Sequence, residues 1–339
     1  MRRTLERALC LALCLCLLAG GCAVGGPQRY TEEFYGAFDT VITLTAYLEE
    51  EQDFEQLAQL AQQRLTAYSQ MYDIYVPYAG VKGLYQVNEQ AGQGPVEVEP
   101  QVIELLQFAQ ECYELTEGRV NVAMGSVLRI WHDLREAAGQ DPDNARLPQE
   151  AQLREAAEHT KIEDMVLDAE NNTVELRDPA MRLDVGSVAK GYAVQRVTEE
   201  LKQAGYTDFV LSAGGNVEAA GTPPDRPTWS VGIEDPRQTG ALAATVEVTD
   251  EAVVTSGGYQ RFYTVDGRQY HHIVDPDTLY PAEKMLSATV IYPDSGLADC
   301  MSTALFLMEP EQALAFAGQW EGMRVILVTL DGEVLDSAS

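Results

Sequence analysis

Hydrophobic and polar positions along the chain predict a mixture of helices and strands. Apolar residues at helical spacing predict amphipathic helices over 53–68, 100–115, 149–159, 187–204, 297–308 and after Pro310. Alternating and β-branched stretches predict strands over 38–48, 209–212, 229–234, 242–249, 260–265, 269–274 and 287–292. Turn signals predict hairpins at 171–172, 266–267 and 331–332. Helices and hairpins alternate without a repeat or a clear linker, which predicts one α+β domain over 34–339.

The first 33 residues have a different pattern. Three arginines precede an apolar run over 8–18, and small residues then lead to Cys22. This arrangement is typical of a secretory signal peptide over 1–21, and the run is shorter than the roughly 20 residues of a membrane-spanning helix. Small residues before a cysteine resemble the lipobox of bacterial lipoproteins, which implies a lipid on Cys22 and an extracytoplasmic protein anchored to the cell membrane. Residues 22–33 would be the tether. Ordinary signal cleavage is the alternative.

The composition argues against nucleic acid as a partner. The chain has 23 Lys and Arg against 53 Asp and Glu, a formal net charge of −30, and 46% hydrophobic residues. It has enough apolar residues for a core, and no basic run that would neutralise a nucleic acid. After position 22 only Cys112 and Cys300 remain, which predicts two separate buried thiols rather than a disulfide framework.

The segment 183–192 combines the features of a small anion site. A strand ends near Asp184, Gly186 permits a tight turn, and a helix is predicted to start at Ser187. The start of a helix presents free N–H groups and a positive dipole, and Lys190 could add a point charge over the same end. The alternative is a capping turn followed by a surface lysine.

The segment 298–304 offers hard oxygen donors. On a helix, Asp299 and Thr303 are four residues apart and share one face. A carboxylate and a hydroxyl suit Mg²⁺, which keeps waters and substrate phosphates. A simple N-cap aspartate is the alternative.

Two of the four histidines adjoin in the hairpin 261–276, which follows a Thr-Ser-Gly-Gly-Tyr segment. Strand alternation sends His271 and His272 to opposite faces, so a regular strand offers only one of them to a site, where it could act as a general base. Both could instead be structural residues of an edge strand.

A fourth segment, 211–216, is a strand that runs into Gly214 and Gly215. The backbone of such a turn could line a nucleotide, although Gly-Gly turns are common.

Taken in order, the chain resembles the ApbE family, the FAD:protein FMN transferases, over nearly all of its length after the signal peptide. The matching segments are FYGAFDTVITLTAY, TEGRVNVAMGSVLRIWHD, LDVGSVAKGYAVQRV, LSAGGNVEAAG, TSGGYQRF, YHHIVDP and ADCMSTALF. The resemblance implies an α+β, T-fold-like domain. It also implies that FAD is the substrate, that Mg²⁺ is the cofactor, and that FMN is attached to a Thr or Ser hydroxyl of a target flavoprotein with release of AMP.

The resemblance also implies roles for individual residues. It assigns the catalytic base to His272, and the Mg²⁺ ligands to Ser187, Asp299 and Thr303. It implies contacts to FAD from Phe38, Tyr72, Gly118, Arg119, Val120, Asp184, Lys190, His272 and Ile273. Phe38 would fill the place of a family methionine, and Leu279 stands where the family has glycine.

Two alternatives remain at the level of function. A pyrophosphatase that converts FAD to FMN and AMP would use the same Mg²⁺ site. A lipoprotein that binds FAD without chemistry would need neither the metal ligands nor the base. A generic solute-binding lipoprotein would show alternating strands and helices, which the second half of the chain lacks.

Overall fold

The structure, a computed structural model, describes residues 26–238 and 240–338. Its strands, in chain order, are β1 (Gln28–Ala37), β2 (Thr40–Leu48), β3 (Val96–Glu97), β4 (Met165–Asp168), β5 (Thr173–Leu176), β6 (Phe209–Ala213), β7 (Asn216–Ala220), β8 (Trp229–Glu234), β9 (Leu242–Val248), β10 (Glu251–Gly257), β11 (Phe262–Val265), β12 (Arg268–His271), β13 (Met285–Tyr292), β14 (Arg324–Thr329) and β15 (Val334–Asp336). Its α-helices are α1 (Glu51–Tyr72), α2 (Leu84–Glu89), α3 (Pro100–Leu115), α4 (Gly125–Gln140), α5 (Glu150–Ala157), α6 (Ala189–Gln203), α7 (Ser295–Phe306) and α8 (Pro310–Ala317).

An eight-stranded antiparallel sheet forms the centre of the fold, in the order β1-β2-β6-β7-β10-β13-β14-β15. Helices α1, α3, α6 and α7 contribute buried residues to the large core on one face of this sheet. The β8–β9 hairpin covers the other face with its own apolar cluster. The predicted α+β class is therefore confirmed.

Side-chain alternation explains how one strand supports both cores. On β10, Ala252 and Val254 belong to the helical side and Val253 to the hairpin side. Ser256 continues the helical side, where its hydroxyl meets α7. The polar end of β10 therefore points at the helix that carries Asp299.

The predicted tether over 22–33 is wrong for residues 28–33. They form the first part of β1, which pairs with β2 from Gln28 opposite Leu48 to Ala37 opposite Thr40. β1 is an edge strand with mostly exposed side chains, so its composition resembles that of a linker. The predicted signal peptide over 1–21 and Cys22 lie outside the described residues.

The two cysteines are buried and free, but they are not separate. Cys112 lies on α3 and Cys300 on α7. Burial raises the pKa of the Cys300 thiol, and a hydrogen bond with Cys112 raises it further, so the two thiols are neighbours. They join α3 to the helix that carries Asp299.

No helix in the part of the chain that the structure describes combines the length and the apolar character that a membrane crossing requires.

Candidate active site

The segment 183–188 forms a tight turn that leads into α6. The Gly186 N–H donates to Asp184 Oδ1 at 2.9 Å, and the Val188 N–H donates to the Val185 carbonyl at 3.0 Å. Helix α6 begins at Ala189, so Ser187 lies in the turn and not in the helix. The predicted helix start is shifted by two residues, but Ser187 still lies just in front of the first turn of α6.

Helices α6 and α7 meet at Gly191 and Asp299. The Gly191 N–H donates to Asp299 Oδ2 at 2.8 Å, and this carboxylate is almost fully buried. A Cβ at position 191 would collide with Asp299 Cβ and with the Ser295 carbonyl, so only glycine permits this approach. The carboxylate of α7 is thus held against the positive start of α6.

Lys190 brings a cation to the same place. Its Nζ donates to the Gly214 carbonyl at 3.0 Å. Burial lowers the pKa of Lys190, and the Asp299 carboxylate opposes that effect. Burial likewise raises the pKa of Asp299, whereas Lys190, the Gly191 N–H and Asn216 oppose the rise. The two charges therefore stabilise each other in a buried setting.

Thr303 lies one turn after Asp299 on α7, as predicted from their spacing. Its Oγ1 lies 3.2 Å from Ser256 Oγ, which also lies 2.8 Å from Ser302 Oγ. Ser302 is fully buried and donates to the Asp299 carbonyl at 3.0 Å, so it fixes the helix. Thr303 is half-buried, and its hydroxyl is the more accessible of the two.

These residues fit a hard divalent cation. Among the described residues, no cluster of three or more His, Cys, Asp or Glu is placed to hold a metal ion. Asp299 and Thr303 offer a carboxylate and a hydroxyl on α7, and Ser187 lies in the turn before α6, the helix that contacts Asp299. One carboxylate with hydroxyls agrees with the preference of Mg²⁺ for few protein ligands plus water and phosphate. Asn216 lies beside Asp299, and its amide favours the ionised carboxylate. Among the described residues, the buried Oδ1 of this amide has no hydrogen-bond partner, so it is a further oxygen atom beside the proposed metal ligands.

The Gly214–Gly215 turn joins β6 to β7 at the edge of the site. Both glycines have positive φ, 50° and 95°. A Cβ on Gly214 would collide with Thr40 Oγ1, so the turn packs directly on the start of β2. The predicted Gly-Gly turn therefore brings the start of β2 next to the Lys190 ammonium.

The two histidines have different surroundings, because β12 ends at His271 and His272 lies in the bend that follows the strand. The His271 ring is bonded on both sides: Nε2 lies 2.8 Å from the Ala282 carbonyl, and Nδ1 accepts the Ile273 N–H at 3.2 Å. His272 has Nδ1 3.3 Å from the Arg261 carbonyl. Since a carbonyl only accepts, this contact places the proton on Nδ1 and leaves Nε2 free as a base. The pKa of His272 is lowered to about 3, mainly by burial and next by the charge of Arg261.

The segment 118–120 lies beside the Asp184 turn. The Asp184 N–H donates to the Val122 carbonyl at 2.8 Å. Gly118 has a φ of 82°, Val120 is buried, and Arg119 pairs with Glu117 at 2.8 Å. The Arg119 guanidinium also donates to the Thr116 carbonyl at 3.1 Å, so it is held against its own loop.

The structure places Phe38 in the turn before β2, where its N–H donates to Ser69 Oγ at 2.9 Å and its ring packs partly on the main core. Ile273 is buried in the same core. Leu279 has a φ of 63°, a conformation that glycine adopts without strain, which accounts for the glycine expected at this position.

The structure places Tyr72, a predicted nucleotide contact, in the core. α1 extends to Tyr72, whose ring is buried and whose hydroxyl donates to the Gln101 carbonyl at 3.2 Å. Tyr75, three residues later, is 37% exposed and stacks on His132 with ring centroids 4.3 Å apart. Burial raises the pKa of Tyr75, and the Asp184 charge adds to the rise, so its ring borders the site.

The chain matches a known protein family over most of its length. The model of the ApbE family matches residues 38–327. An FAD:protein FMN transferase of Klebsiella pneumoniae is 32% identical over 254 residues, 74% of this chain and 76% of the relative. One of Treponema pallidum is 34% identical over 266 residues, 75% of this chain and 73% of the relative. The chain belongs to the ApbE family.

Solved structures of the ApbE family share the fold. The crystal structure of the ApbE protein of Thermotoga maritima has a TM-score of 0.79 at 26% identity and covers 91% of this chain and 97% of its own. The flavin transferase ApbE of Vibrio cholerae has a TM-score of 0.76 at 25% identity, with coverage of 92% and 98%. The range of the family match, residues 38–327, includes every residue of the candidate site.

Two arginines near the site were missed by the sequence analysis. The charges of Arg135 on α4 and Arg261 before β11 both lower the pKa of His272, after burial, and both oppose the rise at Asp184. Arg261 falls within the matched segment TSGGYQRF, which was the only signal for it in the sequence. Together with Lys190 they form a local patch of positive charge on an acidic protein.

Proposed function

We propose that this member of the ApbE family is an FAD:protein FMN transferase. A hydroxyl oxygen of the target protein attacks the flavin-side phosphorus of FAD and forms a phosphoester. The bond from that phosphorus to the bridging oxygen breaks, and the oxygen leaves with AMP. The relatives that carry this activity by name cover about three quarters of the chain.

The observation that carries the proposal is the meeting of a buried carboxylate, an ammonium and a helix start where α6 touches α7. A chain with a net charge of −30 repels a diphosphate at long range. Local positive groups must therefore compensate. Lys190 and the start of α6 supply them from the protein.

We propose that Asp299, Thr303 and Ser187 hold Mg²⁺. When bound, Mg²⁺ would neutralise the two phosphates and stabilise the charge on the leaving group. Asp299 would remain fixed by the Gly191 N–H, so that its other oxygen faces the cation.

His272 is proposed as the base. A Thr or Ser hydroxyl is a weak nucleophile until its proton is removed, and Nε2 of His272 is the free nitrogen that can accept it. His271 is excluded from this role because both of its ring nitrogens are already bonded.

Mass spectrometry tests the proposed function. A flavoprotein with an acceptor Thr or Ser is incubated with FAD and Mg²⁺, with and without the chain. Transfer adds the mass of FMN less one water to the target and releases AMP. FMN and AMP in solution with an unmodified target would instead identify a pyrophosphatase, and no turnover with tight FAD binding would identify a binding protein.

We further propose that a lipid on Cys22 anchors the protein outside the cytoplasm. Since β1 begins at Gln28, only five residues separate the two, a reach of at most about 22 Å. Gln28 pairs with Leu48, at the end of the sheet opposite Thr40 and the Gly214 turn. A lipid at Cys22 would thus leave the site facing away from the bilayer. Loss of membrane retention in Cys22→Ser, with transfer retained in solution, is the expected result.

A further inference from the structure

Arg261 is an exposed arginine without a carboxylate partner. It lies between β10 and β11, and Nη2 donates to the Asp39 carbonyl at 3.5 Å, a long contact. Within residues 26–238 and 240–338, no acidic side chain lies at ion-pair distance from it. In a chain with 53 Asp and Glu this is informative, since acidic partners are abundant at the surface.

The charge of Arg261 reaches three residues of the candidate site. Burial is the first cause of the shifted pKa values of His272, Lys190 and Asp184. Arg261 lowers the pKa at each of them as well. Contacts locate the guanidinium: it lies against the Asp39 carbonyl, and the next residue, Thr40, packs on Gly214, whose carbonyl holds Lys190.

Two cations that face one space repel each other. Lys190 is held by the Gly214 carbonyl and cannot move away without losing that bond. Arg261 likewise reaches toward Asp39, in the turn that precedes β2. The Asp299 carboxylate offsets the charge of Lys190, but no carboxylate among the described residues pairs with Arg261, so a further anion near Arg261 would lower the repulsion. Arginine suits such an anion because its planar fork can bind two phosphate oxygens at once.

We propose that the Arg261 guanidinium binds a phosphate of the flavin dinucleotide, while the Arg261 carbonyl holds His272 in the tautomer whose Nε2 is free. The inference rests on the proposed function and extends it to a residue that joins substrate binding to the base. The side chain contacts the phosphate, and the carbonyl positions the ring.

This arrangement couples the two events. Before substrate binds, His272 is surrounded by Arg261, Arg135 and His271, and the positive charges disfavour its protonated form. A phosphate on Arg261 offsets one of these charges. The base therefore accepts a proton more readily when the dinucleotide is in place than when the site is empty.

Binding measurements with Arg261→Gln test the phosphate contact. We expect FAD affinity to fall about 10- to 100-fold, the cost of losing a hydrogen bond to a charged group. Riboflavin, which has no phosphate, should bind the variant and the wild type equally. Arg261→Lys should recover part of the FAD affinity, as a point charge without the fork. Arg226→Gln, at an exposed arginine paired with Asp225, is the control and should leave both affinities unchanged.

An unchanged FAD affinity in Arg261→Gln would overturn the proposal. So would an equal loss of FAD and riboflavin affinity, which would indicate a structural role. Wild-type protein that binds FAD but modifies no target would contradict the proposed function and leave the binding comparison intact, so the two failures are distinguishable.

NMR titration tests the coupling to His272. The chain has four histidines, and a His272→Asn spectrum identifies the signal. The titration midpoint of His272 should rise in Arg261→Gln, and in the wild type it should rise when FAD is added. A midpoint that neither change moves would refute the coupling.

Discussion

Asp299 and Glu218 are both buried carboxyl groups on the helical side of the main sheet, but their surroundings differ. Asp299 accepts the Gly191 N–H and lies near the Lys190 ammonium. Glu218, on β7, has an Oε2 without a hydrogen-bond partner among the described residues. Burial, the main cause, raises the pKa of Glu218 to about 8, and only the charge of Lys202 opposes the acidic neighbours.

The comparison shows that burial of a carboxyl group does not by itself indicate function. At Asp299 the fold supplies an N–H donor, a cation and adjacent hydroxyls, so the ionised form has partners. At Glu218 it supplies almost none, so the neutral form is favoured. A cation site needs an environment like that of Asp299, in which the ionised carboxylate has partners. The following experiments distinguish Asp299 from Glu218.

Asp299→Asn should have the largest effect on transfer. Asn can still accept the Gly191 N–H, so the fold is kept, but the negative charge for Mg²⁺ is lost. We expect transfer to fall at least about 10³-fold, corresponding to several kcal/mol of lost charge stabilisation. Glu218→Gln is the matched control, and it should transfer FMN at the wild-type rate. If the two variants are equally active, the assignment of Asp299 fails.

The adjacent histidines also differ in their hydrogen bonds. Both ring nitrogens of His271 are bonded, whereas Nε2 of His272 is free. His272→Asn should reduce transfer about 10²- to 10⁴-fold with little change in melting temperature, since Asn can still donate to the Arg261 carbonyl but cannot act as a base. His271→Asn should instead lower the free energy of unfolding by about 1–3 kcal/mol, because the buried ring bonds Ala282 and Ile273.

Those two variants are compared by rate per folded molecule and by thermal unfolding. Exchange of the two phenotypes, with His271→Asn inactive but stable, would reverse the assignment of the base.

Glu218→Gln should change stability with pH rather than activity. In the folded chain the Glu218 pKa is raised to about 8, above its value of 4.5 in the unfolded chain. The folded state therefore retains a proton that the unfolded state has lost, and stability falls as pH rises from about 4.5 to 8. Gln removes this loss, so we expect a gain of about 2–4 kcal/mol at pH 9 and almost none at pH 5.

Urea unfolding at both pH values measures this difference. A gain of the same size at pH 5 and pH 9 would show that the carboxyl group does not titrate in this range, and that packing, not ionisation, separates the variants.

Some elements of the fold could be predicted from the sequence, and others could not. Helix α3 has the predicted bounds, because Pro100 opens it and its apolar spacing is regular. Strand β10 was missed because its last residues are Thr, Ser and Gly, which serve the site and interrupt the alternation. Helix α4 was missed as well, since it starts at a glycine and its N-cap residue, Met124, makes no side-chain capping hydrogen bond.

Within the site, residues on one element could be placed from the sequence, whereas residues brought together by the tertiary fold could not. Asp299 and Thr303 could be paired from their spacing alone, because one helix holds both. The burial of Tyr72 was not predicted, because the predicted helix stopped at Tyr68, whereas α1 continues and places Tyr72 four residues farther along the buried stripe. Arg261 could not be placed from local pattern, since its role depends on contacts with Asp39 and His272 that only the tertiary fold creates.

The smallest expected effect is stabilisation by Mg²⁺, and it sharpens the comparison without requiring a target protein. A ligand that binds only the folded state at ten times its Kd adds about 1.4 kcal/mol, a rise in melting temperature of a few degrees for a chain of this size. The rise should disappear with a chelator and be absent in Asp299→Asn, whereas Glu218→Gln should keep it. If Asp299→Asn retained the rise and Glu218→Gln lost it, the cation would bind at the carboxyl group that has no N–H donor. The N–H donor and the ammonium beside Asp299 would then not be the features that select the carboxyl group that binds the metal ion.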